Sequence, residues 1–298
     1  MLAVIVAELL ARANVAPRVN ENALLLFILD RLTGKPVFGV TEVPAPPSKA
    51  EGEHAWPTQP IPNKPIPLAR MDFALNEVAT VTPELHDFCQ AWIERDHLKP
   101  SVRFEPIPTD TPMIRFPGGE GGAEWAGGAF DPKLGYYIIN TNSLGYVEKL
   151  TKDASGKWGF STAHFADKNQ NPCQQPPWGY LTAINANTGD VAWRIVLGVT
   201  DNFPDGKKET GRPSNGGATL TASGLTFIGG TDDARFRAFD SKTGTLLWTY
   251  KLDYSATASP AVYAGKSGTQ YVAVTATGGT ALYAPGGGDS LVAFALPH

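Results

Sequence analysis

A chain of 298 residues with 42% hydrophobic and 10% aromatic content can bury a sizeable core, which excludes a disordered tail or linker. Its formal net charge of −4 at pH 7, with no cluster of Lys and Arg, leaves no electrostatic footprint for nucleic acid or for an anionic membrane surface. Thirty-one Gly and 25 Pro beside only 18% charged residues favour many short strands joined by turns.

The stretch at 1–19, "MLAVIVAELLARANVAPRV", is apolar at its start and then carries Glu8, Arg12 and Arg18. It lacks the leading positive charge and the small-residue cleavage site of a signal peptide, and it is too short to cross a bilayer, so a short helix is expected there. At 27–38, "FILDRLTGKPVF" reads as strand, tight turn, strand. Residues 43–70 are so rich in Pro that neither a helix nor a central strand can form, which predicts an extended strap over the surface. The segment at 82–98, "TPELHDFCQAWIERDHL", opens on Thr-Pro-Glu and places Leu85, Phe88 and Trp92 at helical spacing, so it is predicted to be a helix inserted between sheets.

Further along, "GGAFDPKLGYYIINTN" at 127–142 predicts a hairpin whose turn opens at Asp131-Pro132 and closes at Gly135. The motif of residues 27–38 returns as "AINANTGDVAW" at 183–193 and "AFDSKTGTLLW" at 238–248, with Gly189 and Gly244 supplying the positive φ that the turn demands. These last two copies lie 55 residues apart, in the range of propeller blades. Between them, "GATLTASGLTFIGGTDDARFRAFD" alternates apolar and polar residues and breaks at Ser223-Gly224 and Gly229-Gly230, an antiparallel meander. A hairpin around Gly265-Lys-Ser-Gly268 and a last strand in "DSLVAFALP" complete about four blades' worth of strands.

Four-stranded sheets expose two faces and become stable only when stacked against neighbours. Trp193 and Trp248, at a fixed offset after each turn, are therefore expected to wedge between sheets, each N–H reaching a backbone carbonyl across the gap. Cys89 and Cys173 lie 84 residues apart with no CxxC frame, which leaves either one long-loop disulfide or two buried thiols and argues against zinc. His54, His86, His97, His164 and His298 have no partner at ligand spacing and read as surface or capping residues.

The ordered set "FILDRLTGKPVF", "WPTQPIPNKPIPLAR", "GGAEWAGGAFDPKLGYYIINTNSLG", "PCQQPPWGYLTAINANTGDVAWRIVLG", "GRPSNGGATLTASGLTFIGGTDDARFRAFDSKTGTLLW" and "DSLVAFALP" resembles the C-terminal half of pyrroloquinoline quinone (PQQ)-dependent dehydrogenases, the quinoprotein glucose/alcohol dehydrogenase family. The likeness is greatest to the membrane glucose dehydrogenase branch and runs from residue 24 onward, leaving 1–23 as an unmatched segment. It implies an all-β fold: a partial β-propeller of about four blades out of eight, built of antiparallel four-stranded sheets with one short helical insertion. It also implies PQQ on the propeller axis beside a Ca²⁺ ion, a periplasmic location, and oxidation of a sugar or alcohol hydroxyl with electrons passed to quinone or a cytochrome.

Eight blades of about 50 residues need some 400 residues, so this stretch cannot close the whole ring. The family's metal ligands and general-base Asp belong to the half that is not matched, and no catalytic or metal-binding residue is assigned. Where the family places a basic contact to the cofactor, residue 22 is Asn. By position, the resemblance offers Asn142, Asn215, Asp233, Gly279 and Thr280 as cofactor contacts, Asn215 standing where a more distant branch has Trp. The alternative for Asn142 and Asp233 is turn capping through their own backbone. Gly278-Gly279 sits in no GxGxxG frame and reads first as a structural turn.

Two functional classes follow. One is a fragment or split half of a PQQ-dependent dehydrogenase, inactive alone, whose partner is an N-terminal half-propeller chain or a second copy. The other is a non-catalytic propeller-like scaffold that binds protein through exposed blade edges.

Overall fold

The computed structural model describes residues 15–20, 25–119, 121–123, 126–279 and 286–296. Strand β1 (Val15–Asn20) pairs antiparallel with β2 (Leu25–Asp30). The helix expected over 1–19 lies outside the described residues up to 14, and from Val15 it is replaced by strand. The physical reason is Pro17, which has no N–H to give a helix and is tolerated in a two-stranded ribbon. Strands β3 (Val40–Pro44) and β4 (Thr58–Pro62) form a second ribbon, so the Pro-rich strap is paired at its start and again past its middle.

Helix α1 (Pro83–Asp96) forms where the sequence places it. Thr82 caps it by accepting the Leu85 N–H at 3.3 Å, Pro83 occupies the first turn, and His97 ends it in the left-handed conformation at φ 52°. Its buried stripe is Leu85, Cys89 and Ile93, spaced four apart. Phe88, predicted to point inward, is 41% exposed, and Trp92 is half-buried at the margin. A disulfide joins Cys89 to Cys173, which decides between the two alternatives left open by the sequence and pins the helix to a distant loop.

The remaining strands are β5 (Lys99–Pro100), β6 (Met113–Arg115), β7 (Ala129–Asp131), β8 (Tyr136–Asn142), β9 (Tyr146–Lys152), β10 (Trp158–His164), β11 (Gly179–Asn185), β12 (Val191–Val196), β13 (Thr219–Leu220), β14 (Leu225–Ile228), β15 (Arg235–Asp240), β16 (Leu246–Lys251), β17 (Ala261–Ala264), β18 (Gln270–Gly278) and β19 (Gly286–Ala295). They make four larger sheets, ordered β10-β9-β6-β5, β12-β11-β8-β7, β13-β14-β15-β16 and β17-β18-β19. All pairings are antiparallel except β5 with β6, which run parallel.

The apolar clusters show how the sheets stack. Tyr137, Ile139 and Ile184 on one face of the second sheet pack on Leu26 and Ile28 of β2 and on Leu68 of the strap. Its other face presents Ile138, Leu181 and Ala183 to Ile228 and Phe239 of the third sheet. Phe236 of the third sheet then meets Val272 and Val274 of the fourth. Alternate residues of one strand thus serve opposite neighbours, the period-2 rule applied to a sheet buried on both faces. The first sheet stands apart from this series, sharing its core with α1, Phe165 and Trp178.

The turn repeat fixes the spacing between sheets. In each copy a carboxylate or amide side chain at the turn's start accepts backbone N–H groups two or three residues on: Asp30 from Thr33 at 2.8 Å, Asn185 from Asn187 at 2.9 Å, Asp240 from Thr243 at 2.8 Å. Asp131, which accepts from Lys133 at 2.8 Å, makes a fourth copy in the 127–142 hairpin. The glycine that closes the turn has positive φ, 73° at both Gly189 and Gly244, and its missing side chain also opens a socket. A Cβ on Gly189 would lie 2.9 Å from the Phe38 ring, and one on Gly244 would lie 2.7 Å from Trp193. The aromatic residue four places after one glycine therefore seats under the glycine of the next sheet's turn. Trp193 also donates its N–H to Ser241 O at 3.1 Å, as the wedge reading requires. Trp248 departs from it: it packs edge-on against Phe294 of the fourth sheet and remains 38% exposed, with no glycine socket against its ring among the described residues.

Candidate functional site

The loops that leave the ends of β8, β14 and β18 meet along one rim of the stack, and backbone hydrogen bonds stitch them together. Asn142 N donates to Gly122 O at 2.6 Å, Asn215 N to Gly230 O at 3.1 Å, Ala256 N to Gly229 O at 3.2 Å, and Gly278 N to Ser255 O at 2.9 Å. Gly216 and Gly230 allow this approach, since a Cβ on Gly216 would fall 2.8 Å from Ala256 O and 3.1 Å from Gly230 Cα.

Asn142, Asn215 and Asp233 come together on this rim. The Asn142 amide is buried and clamps the facing strand edge, donating to Ser214 O at 2.9 Å and accepting from Ser214 N at 3.0 Å. Ser214 also receives the Asn140 side-chain N–H at 2.8 Å and bridges to Thr231. Thr231 in turn donates to Asp233 at 2.6 Å. Gly279 lies one residue beyond the Gly278–Ser255 bond, with φ 70°. Thr280, Asn22 and His298 fall outside the described residues. Of the other histidines, His86 reaches Ala79 O at 3.1 Å through Nδ1, and His164 stacks edge-on against Tyr146.

The carboxylates of the rim are tied into ion pairs. Asp233 accepts from Val199 N at 2.9 Å and Arg235 N at 3.1 Å and is paired with the buried Arg237 guanidinium. Burial pushes its carboxyl up, but the Arg237 charge and these hydrogen bonds outweigh that and hold it below the ordinary value. Asp232 is paired with Arg212, whose Nε donates to it at 2.8 Å; there burial prevails and raises the carboxyl. Arg235 and Lys251 both bind Asp201, at 2.6 and 3.1 Å, and Arg235 in particular draws that carboxyl down to about 2. The sequence pattern "DDARFR" carried this pairing, with acid and base four apart on either side of a strand start, and the resemblance drew the eye to Asp233 alone. Ser214 and Arg212, in "GRPSN", carry little sequence signal: only that polar residues stand between Gly211 and the Gly216-Gly217 pair.

No group of three or more His, Cys, Asp or Glu that could hold a metal ion occurs among the described residues. A planar polyanion such as PQQ can be tested against the rim directly. Its glycines bring the rim loops together, and the Asn142 amide is engaged on both sides by Ser214. The four basic side chains nearby, Arg212, Arg235, Arg237 and Lys251, are each paired with an aspartate. The rim can thus serve as one wall of a site, with its cations already answered by carboxylates.

The family description "Glucose/ethanol/alcohol dehydrogenase, beta-propeller domain", of the PQQ type, matches residues 21–272. The chain belongs to the PQQ-dependent dehydrogenase β-propeller family. Among its relatives, a probable quinate dehydrogenase (quinone) from Xanthomonas campestris pv. juglandis is 32% identical over 94% of this chain and 38% of its own length. The quinoprotein glucose dehydrogenase of Escherichia coli is 30% identical over 91% of this chain and 37% of its own length. The chain spans about two fifths of the length of the curated relatives it matches. The solved quinohemoprotein alcohol dehydrogenase from Comamonas testosteroni covers 94% of this chain, and the chain 35% of it, with a TM-score of 0.56 and 19% identity. A europium-containing methanol dehydrogenase covers 88%, matched over 36% of its own chain, with a TM-score of 0.54 and 22% identity. These structures show the fold. The stacked sheets are propeller blades.

Proposed function

We propose that this stretch is one arc of a PQQ-dependent dehydrogenase that oxidises a sugar or alcohol hydroxyl, forms one wall of the quinone site, and does not turn over on its own. The observation that carries the reading is the convergence of Asn142, Asn215 and Asp233 on a single glycine-lined rim between stacked blades, with Gly279 beside it. Asn215 and Gly279, with Thr280, would meet the cofactor, while Asn142 and Asp233 would hold the loops that present them. The chemistry PQQ would supply when bound is that of a two-electron acceptor for oxidation of the hydroxyl to a carbonyl, one hydride leaving the carbon and one proton the oxygen, with the electrons passed on to a quinone or cytochrome. Ca²⁺, the family's expectation, and the general base would be supplied by blades outside this stretch. The Cys89–Cys173 disulfide favours an oxidising compartment such as the periplasm.

Titration of the chain with PQQ, followed by absorbance, tests the rim. The reading expects saturable one-to-one binding that weakens in Asn215→Ala; no saturable change with the wild-type chain would refute it.

For a partner, the reading looks to the fourth sheet. A cleft of about 680 Å³ lined by Phe227, Leu247, Trp248, Val272 and Phe294 opens between it and the third sheet, an apolar surface suited to further blade from another chain or a second copy. The same feature supports the scaffold reading, in which a protein segment docks there without catalysis. Sedimentation of the chain alone is expected to show self-association, and a clean monomer at all concentrations would count against a second copy as the partner.

A further inference from the structure

On the face of the second sheet that turns toward the strap, a cavity of about 200 Å³ is lined by residues that include Ala69, Arg70, Ser143, Gln175, Tyr180 and Arg194. Arg194 leaves the edge strand β12 and reaches back across β11. Its Nε donates to Thr182 Oγ1 at 3.1 Å, and its guanidinium lies over the Tyr180 ring, 5.3 Å from the centroid. These two contacts fix the plane of the guanidinium, yet its Nη2 is fully buried and has no hydrogen-bond partner. Leaving such a donor unsatisfied is unusual in a native fold, and a charged one is the most unfavourable kind.

Arg70 also lines the cavity. It is held over the Phe116 ring at 5.5 Å and paired through Nη1 with Glu77 at 2.8 Å. Its backbone N donates to Ser143 Oγ at 3.4 Å. Gln175 donates to Thr80 Oγ1 at 2.7 Å, which orients its amide at the cavity wall. Two arginines line the space, Glu77 answers one of them, and no Asp or Glu is among the described residues that line it. Burial also draws the Arg194 guanidinium below its ordinary value, a penalty that a counter-anion would relieve.

We propose that the cavity between Arg70 and Arg194 is an anion-binding site that takes a small oxyanion, a carboxylate or a phosphate group. The planar fork of an arginine matches both. The volume is below the roughly 300 Å³ at which ordinary small-molecule sites begin, so it admits the anionic head of a ligand rather than a sugar or a quinone. The inference goes beyond the quinone reading and does not rest on it, since Arg70 and Arg194 have no part in the rim.

Isothermal titration in a low-chloride buffer with inorganic phosphate, and separately with acetate, tests the site and tells the two chemistries apart. The wild-type chain is expected to bind one equivalent of at least one of them. Arg194→Gln is expected to weaken that binding tenfold or more, while Lys266→Gln, an exposed cation in a distant turn, leaves it unchanged. No saturable binding of either anion up to about 50 mM, a ceiling weaker than the millimolar range, overturns the proposal. So does binding that survives Arg194→Gln undiminished. Should the variant fail to fold, crystals of the wild-type protein grown with selenate give the answer directly: anomalous scattering within hydrogen-bond reach of Arg194 Nη2 supports the site, and its absence there overturns it.

Discussion

Asp233 shows how a residue singled out by family position is first a structural group. Its side chain is 1% exposed and its partner Arg237 6%, so the pair is removed from water and each charge depends on the other. Asp233→Asn leaves Arg237 buried beside a neutral amide, and a loss of about 3 kcal/mol is expected in urea unfolding. A change below about 0.5 kcal/mol would show that the carboxylate holds no structural charge and serves a ligand alone. The resemblance singled out Asp233 and Asn142 by position, and the structure sets both on the rim. Their partners were not legible: Ser214 lies 72 positions from Asn142, and Val199, which donates to Asp233, lies 34 away. Arg194 likewise reads as an ordinary edge-strand cation until the strap is laid against it.

At the level of elements, the turn glycine and the aromatic four residues later form one device. The repeat was readable because both halves are local, but the seat of each aromatic is on the next sheet, and the sequence treated Trp193 and Trp248 alike for that reason. Only Trp193 finds a glycine socket. Gly244 and Gly224 separate the two functions of such a glycine, since both have positive φ while only Gly244 is crowded. Gly224→Ala is expected to cost about 1 kcal/mol of backbone strain. Gly244→Ala adds overpacking against Trp193 and is expected to cost about 2–4 kcal/mol. Equal losses in thermal or urea unfolding would contradict the socket. For α1, helical spacing located the element, but the inward stripe turned out to run through Cys89, which the disulfide draws to the core in place of Phe88. The β9–β10 hairpin was passed over in the sequence because β10 is exposed along nearly its whole length and lacks a clean alternation.

Across the whole molecule, stacking is what gives the arc its meaning. The second, third and fourth sheets each bury faces against a neighbour, and the loops at one of their rims are brought together as a consequence. Composition and repeat spacing were sufficient to anticipate that stacking, because a two-faced sheet has few other ways to bury itself. They could not anticipate that the first sheet would form its core with a helix, nor that the rim's basic side chains would be neutralised by aspartates of the same loops. In the proposed reading a wall of this kind would hold one edge of a quinone. The most direct measurement is a dehydrogenase assay of the chain alone, loaded with PQQ and Ca²⁺, offered glucose or a primary alcohol and an artificial electron acceptor. No reduction of the acceptor beyond that of protein-free PQQ is expected; protein-dependent turnover would contradict the account.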